Sequence, residues 1–226
     1  MARAKNQGEC FICHQTYSKA SMSRHVQVCL QKHLTPEKKG KQDEILLIEL
    51  VAYKQFWMYI EISGKATLSD LDDFLRRVWL ECCGHLSEFK IGHVRYLSNT
   101  EHSWDNEESM DVPIGDILSE GSEFTHSYDF GTSTDLTGRV IAIREGVIKK
   151  RIQLLARNHL PELHCSCKKQ ATELCSICLA VVCENCREDH ECGDLDMMLP
   201  LVNSPRAGQC GYEGSNEKMS KYSPEL

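Results

Sequence analysis

The sequence predicts an α+β core, a mixed sheet of about five strands with one main helix, flanked by two small cysteine-rich modules. Three observations predict it. ILLIEL and FWMYIEI are β-rich, and in the second Trp57 and Tyr59 alternate with Met58, Ile60 and Ile62. After them Leu68, Leu71, Phe74, Leu75, Val78 and Cys82 recur at helical spacing. Paired cysteines and histidines gather towards both ends, in segments too short to build an apolar core of their own.

Length and charge bound the rest. A chain of 226 residues holds one moderate core with small satellites, not two large domains. No run approaches the roughly 18 apolar residues of a membrane span, because Glu49 interrupts ILLIELVAY. The opening MARAKNQGE lacks the apolar core of a signal peptide, so a cytoplasmic, reducing location is expected. The net charge of −7 is uneven: residues 1–42 carry eight Lys/Arg against two Asp/Glu, and the remainder eighteen against thirty-one. Nucleic-acid binding needs clustered positive charge, so only the N-terminal arm could supply it.

The first element is ECFICHQTYSKASMSRHVQVCLQKH. Cys10 and Cys13 sit on a two-residue gap that lets one turn aim two thiolates at a tetrahedral ion. His25 and Cys29 are four apart, on one face of a helix, and complete a Cys-Cys-His-Cys zinc finger with Tyr17 and Met22 as its miniature core. His14 and His33 read as surface residues. Lys19, Arg24, Lys32 and His33 could meet phosphate or simply be solvated, and a single finger reads only about three base pairs. Residues 34–44, LTPEKKGKQDE, read as a linker.

The central domain, 45–157, opens with the two β-rich segments. Thr67 reads as a helix N-cap, with Asp70, Asp72 and Asp73 at the positive end of the dipole and Gly84 as the stop. EFKIGHVRYLS (88–98) reads as a strand, an acidic loop and a short DILSE helix follow, and EFTHSYDFG and RVIAI read as further strands.

Several motifs in this region carry a resemblance. TLSDLDDFL (67–75), HLSEF (85–89) and YDFG (128–131) resemble the plasmid pRiA ORF-three-like proteins, also called transposon TnpR-family passenger proteins. The resemblance is to their zinc-finger-bearing subgroup, which also ends in a segment like LLARN…NSPRAGQCGY (154–212). It implies the α+β fold and an association with mobile elements. The widely shared form continues Gly-Asp-x-Trp-x-His after YDF, whereas Thr134 and Leu136 stand here in the Trp and His places. Chemistry resting on those two residues would be lost.

The second cysteine-rich module spans 158–195 and contains HCSCKKQATELCSICLAVVCENCREDHEC. Its ligands come in pairs: Cys165 (or His164) with Cys167, Cys175 with Cys178, Cys183 with Cys186, and His190 with Cys192. Eight ligands suffice for two closed zinc sites, and in B-box and RING modules such pairs alternate between ions. The alternative, a disulfide framework, is disfavoured by a reducing compartment. Whether His164 or Cys165 leads the first pair stays open. Residues 196–226 read as an irregular tail, frayed beyond 213, with Cys210 a free thiol.

These readings converge on a non-enzymatic recognition protein holding three Zn2+ per chain. Each structural zinc contributes on the order of 10–16 kcal/mol to local folding. A protein partner is expected, nucleic acid is the alternative through residues 1–42, and neither a membrane nor a small-molecule substrate is expected. A third reading, a hydrolase or nuclease, would use His85, His126 or Asp129, with Cys82 or Cys83 as nucleophile. Cys82 and Cys83 end an amphipathic helix, however, where a buried thiol is the common case.

Overall fold

The computed structural model describes residues 6–33, 42–100 and 106–224. Most of the expected linker, with Lys38, Lys39 and Lys41, lies outside the described residues. Among those described, ten strands form one mixed sheet, which corrects the expected five strands backed by one main helix. They are β1 (Gln7–Cys10), β2 (Thr16–Ser18), β3 (Asp43–Ala52), β4 (Phe56–Ser63), β5 (Ser87–Ile91), β6 (Val94–Leu97), β7 (Glu107–Ser109), β8 (Glu123–Tyr128), β9 (Thr134–Gly146) and β10 (Ile152–Asn158). Across the sheet they run β2-β1-β10-β4-β3-β9-β8-β5-β6-β7. Among the described residues, only β6 and β7 pair in parallel.

The extra strands have physical causes. The 88–98 segment is a hairpin rather than one strand, because Gly92 takes φ 59° and reverses the chain between β5 and β6. IQLLARN, given no strand in the sequence reading, becomes β10. Its side chains are buried on both faces, so it shows no alternation to read. The two short finger strands do not form a separate sheet: β1 pairs with β10 and extends the core.

Helices cover the sheet locally. The first, α1 (Lys19–His33), belongs to the finger; α2 (Leu68–Leu75) runs on into a π-helical turn, Arg76–Leu80; α3 is the short Ile114–Ile117. Thr67 caps α2 in a full capping box with Asp70, so two orphan backbone N–H groups are satisfied reciprocally. The middle strands bury both faces. Leu46, Ile48, Leu50, Met58, Ile60 and Ile62 meet α2 and its continuation, while Leu47, Trp57 and Tyr59 meet Met22, Val26 and Leu30 of α1. The finger is therefore docked. Gly8 makes that approach possible, since a Cβ there would overlap the Arg157 carbonyl and the Trp57 ring.

A three-stranded sheet, β12-β11-β13, organises the C-terminal module: β11 is Glu173–Cys175, β12 Val181–Val182 and β13 Met198–Pro200. The tail beyond it has little regular structure but is pinned to the core. Ser204 Oγ donates to the Trp79 carbonyl, Ser215 Oγ to that of Arg77, and the Tyr222 ring meets Phe74 edge-on.

Candidate metal centres

The four side chains of the N-terminal cluster are placed by three local devices. Cys10 ends β1, Cys13 follows in the tight turn closed by His14 N–H to the Cys10 carbonyl, and His25 and Cys29 stand one helical turn apart on α1. Cys10 and Cys29 sulfurs lie 4.0 Å apart, and Cys13 Sγ lies 3.4 Å from His25 Nε2. An ion with metal–sulfur distances of about 2.3 Å in tetrahedral geometry would set these edges near ~3.8 and ~3.6 Å. Tyr17 stacks on the His25 ring at 3.8 Å between centroids and holds its orientation. Met22 is fully buried, and His14 is exposed and pairs with Glu9.

The C-terminal module holds two interleaved quartets. One gathers Cys165, Cys167, Cys183 and Cys186; the other gathers Cys175, Cys178, His190 and Cys192. The first pair thus shares a site with the third, and the second with the fourth. Within each quartet all ligand atoms lie within 4.8 Å of one another, including Cys167 to Cys183 at 3.5 Å and Cys178 to His190 Nε2 at 3.3 Å. His164 lies outside both sets and forms a backbone bridge with Gln170. These clusters could hold metal ions.

Their electrostatics are those of thiols crowded around a shared centre. Backbone N–H groups of Cys167 and Cys183 bring Cys165 down to about 6. Burial works against Cys175, yet N–H groups of Cys178 and Ile177 bring it to about 6 as well. Their neighbours move the other way: hydrogen bonding with Cys167 and Cys183 pushes Cys186 up to about 12, and contact with Cys178 pushes Cys192 to about 11. Burial and the proximity of Cys10 raise Cys29 to about 12. In each C-terminal quartet one thiolate forms readily and opposes the next, and a cation at the centre would relieve that repulsion.

Of the residues considered for catalysis, His126 stands apart with Asp72, whereas Cys82, Cys83, His85 and Asp129 lie together. His126 is fully buried, its Nε2 2.7 Å from Asp72, which also accepts from Arg76 at 2.6 Å. Asp129 accepts from the Gly131 and Thr132 N–H groups and from the buried Arg206. His85 sits nearer the surface, 3.5 Å from Asp129 and 2.9 Å from the exposed Cys83. Cys210 meets them there, 3.3 Å from Cys83. Sequence reasoning missed this meeting, since Cys83 and Cys210 are 127 residues apart; adjacent Cys82 and Cys83 with a nearby histidine were the only signal.

Residues 45–165, more than half of the chain, match the family model of the plasmid pRiA4b ORF-3-like proteins. The chain belongs to that family. The ORF-3-like region runs from β3 to Cys165, so it contains the buried Asp72–His126 pair, Cys82, Cys83 and His85. The finger and nearly all C-terminal ligands lie beyond it. A crystal structure of a protein of unknown function from Methanosarcina mazei Go1 is similar, with 18% identity and a TM-score of 0.44, over 51% of this chain and 69% of that one. No curated protein matches. Among the described residues, no helix is long and apolar enough to cross a membrane.

Proposed function

We propose that this ORF-3-like protein is a non-catalytic, zinc-stabilised recognition protein of the cytoplasm, with a protein as its main partner. The observation that carries this reading is the composition of the finger quartet and the two C-terminal quartets, each offering four protein ligands, three or four of them thiols. Thiolate and imidazole sets suit zinc rather than oxygen-seeking ions, and four protein ligands leave no position for a substrate. The engagement of His126 by Asp72 and of Asp129 by Arg206 favours structural roles for both.

The C-terminal module supplies a surface of the right character. Its Cys175–Cys178 knuckle exposes Ile177 and then Leu179, at 57% and 53% of their accessible surface. Ser176 hydrogen-bonds through its backbone and side chain to Met197, which keeps that exposed residue beside the knuckle. Apolar side chains held rigid by a metal on an otherwise acidic protein suit a protein partner. The family's name ties it to a plasmid reading frame, which supports placing the role with a mobile element.

A second reading has its own observation: Arg24, Lys32 and His33 are exposed on α1. Removing residues 1–42 would not test it cleanly, because β1 is part of the main sheet. The test is fluorescence anisotropy of labelled duplex DNA and RNA with the full chain and with an R24E/K32E variant, between about 50 and 200 mM salt. The protein-recognition reading predicts no salt-dependent binding to either. Binding that weakens steeply with salt and disappears in the variant would select nucleic acid instead. A proximity-labelled protein set lost in I177D/L179D, at unchanged zinc content, would identify the partner.

A further inference from the structure

All thirteen cysteines of the chain fall into four quartets, and Cys82, Cys83, His85 and Cys210 form the one that lies outside the finger and the C-terminal module. Its ligand atoms also lie within 4.8 Å of one another. Cys83 Sγ is 3.6 Å from Cys82 Sγ, 3.3 Å from Cys210 Sγ and 2.9 Å from His85 Nε2. His85 Nε2 is 3.4 Å from Cys210 Sγ. A tetrahedral sulfur and imidazole site has edges of about 3.6–3.8 Å. The Cys82–Cys83 and His85–Cys210 edges lie close to that, and Cys83 would move away from His85 and Cys210 by roughly half an ångström or more around an ion. The composition, three cysteines and one histidine, repeats that of the finger and of the second C-terminal quartet.

The backbone is shaped for this meeting. Cys82 and Cys83 follow the π-helical turn, and Gly84 at φ 74° turns the chain to bring His85 back beside them. A Cβ at Gly84 would meet nothing within 4 Å, so the glycine is required for its conformation rather than for space. Cys210 itself adopts φ 49°, a left-handed conformation unfavourable to cysteine, between Gly208 and Gly211 at 81° and 67°. The segment carrying it is held in place nearby: Arg206 is fully buried and bonds to Asp129 and the Thr132 carbonyl. Arg206 also reaches Cys82 Sγ at 3.6 Å, and the Tyr128 hydroxyl approaches the same sulfur at 3.7 Å. Outer-shell donors of this kind orient metal-bound thiolates.

We propose that Cys82, Cys83, His85 and Cys210 form a fourth structural metal site, for a soft divalent ion of the zinc class, that clamps the C-terminal segment to the end of α2. Four protein ligands close it, so its role is structural. It joins the ORF-3-like core to a residue beyond the matched region, and so ties the tail to the fold. It stands independently of the other three sites.

The test is zinc content by native mass spectrometry of the full chain and of its Cys210→Ser and Cys83→Ala variants. Each variant should hold one ion fewer than the unaltered chain. No difference overturns the proposal whatever the starting total; three ions in all of them would leave the other quartets standing and remove this one. Alkylation of the unaltered protein needs no variant. Cys83 and Cys210, though exposed, should react slowly with N-ethylmaleimide and rapidly once a chelator strips the metal. Equal rates before and after chelation, or release only by a reductant as for a Cys83–Cys210 disulfide, would overturn it.

Discussion

Substituting Asp72 by Asn probes how the core holds α2. Asp72 is almost fully buried and accepts two hydrogen bonds, from His126 Nε2 at 2.7 Å and Arg76 Nε at 2.6 Å. Asn keeps the shape but offers one acceptor, so its amide N–H group must face one of these donors. Arg76 is cushioned, because it also donates to Glu81, the His85 carbonyl and Ser87. His126 is not: it is fully buried and its Nδ1 has no hydrogen-bond partner. Removing one member of a buried charged pair costs about 3–5 kcal/mol, and the cushioning of Arg76 places D72N at the low end, about 3 kcal/mol. For a chain of this length that lowers Tm by roughly 6–12 °C.

Burial alone would raise the Asp72 carboxyl, but hydrogen bonding to His126 and the charge of Arg76 outweigh it and hold it below the ordinary 3.8. A depressed carboxylate contributes its stability above the unfolded-state value and loses it as pH falls through the folded-state value. The part of the D72N penalty that comes from the Asp72 charge should therefore begin to shrink only as pH falls below about 4. Urea unfolding followed by tryptophan fluorescence, at fixed zinc, measures it. In the double variant D72N/H126L the combined loss should be smaller than the sum of the single losses. A penalty below about 0.5 kcal/mol at pH 7 would refute the argument, since a surface substitution costs no more.

Two further outcomes follow from the same reasoning. Thr67→Ala removes the hydroxyl half of the α2 capping box and should cost about 1 kcal/mol in the same assay, whereas Thr67→Ser should restore most of it. Gly8→Ala should leave the finger's metal in place but loosen its docking, because the new Cβ collides with the Arg157 carbonyl and Trp57. Hydrogen exchange should then rise along the β1–β10 pairing while zinc content stays unchanged.

What could be read from the sequence was local. The α2 helix announces itself through Thr67, its acidic first turn and an apolar stripe, all within a dozen residues. The finger and the paired cysteines of 165–192 are legible because a two-residue gap constrains two thiols without help from the rest of the fold. The ten-stranded sheet was not legible. Its added strands are either buried on both faces, like β10, or short edge pieces whose partners lie far away in sequence, like β1 on β10. Arg206 and Cys210 sit in a tail without periodicity, and only tertiary structure brings Arg206 to Asp129 and Cys210 to Cys83.

In the proposed reading, cations bound by cysteine and histidine hold this chain's peripheral segments in place. Metal content of the untagged protein, weighed intact under non-denaturing conditions and again in acid, addresses it most directly. The prediction is a native mass higher by four zinc ions, three from the finger and C-terminal quartets and one from the Cys82–Cys210 group, all shed in acid. A native mass equal to that of the bare chain, with the finger and the C-terminal module still folded, would contradict it.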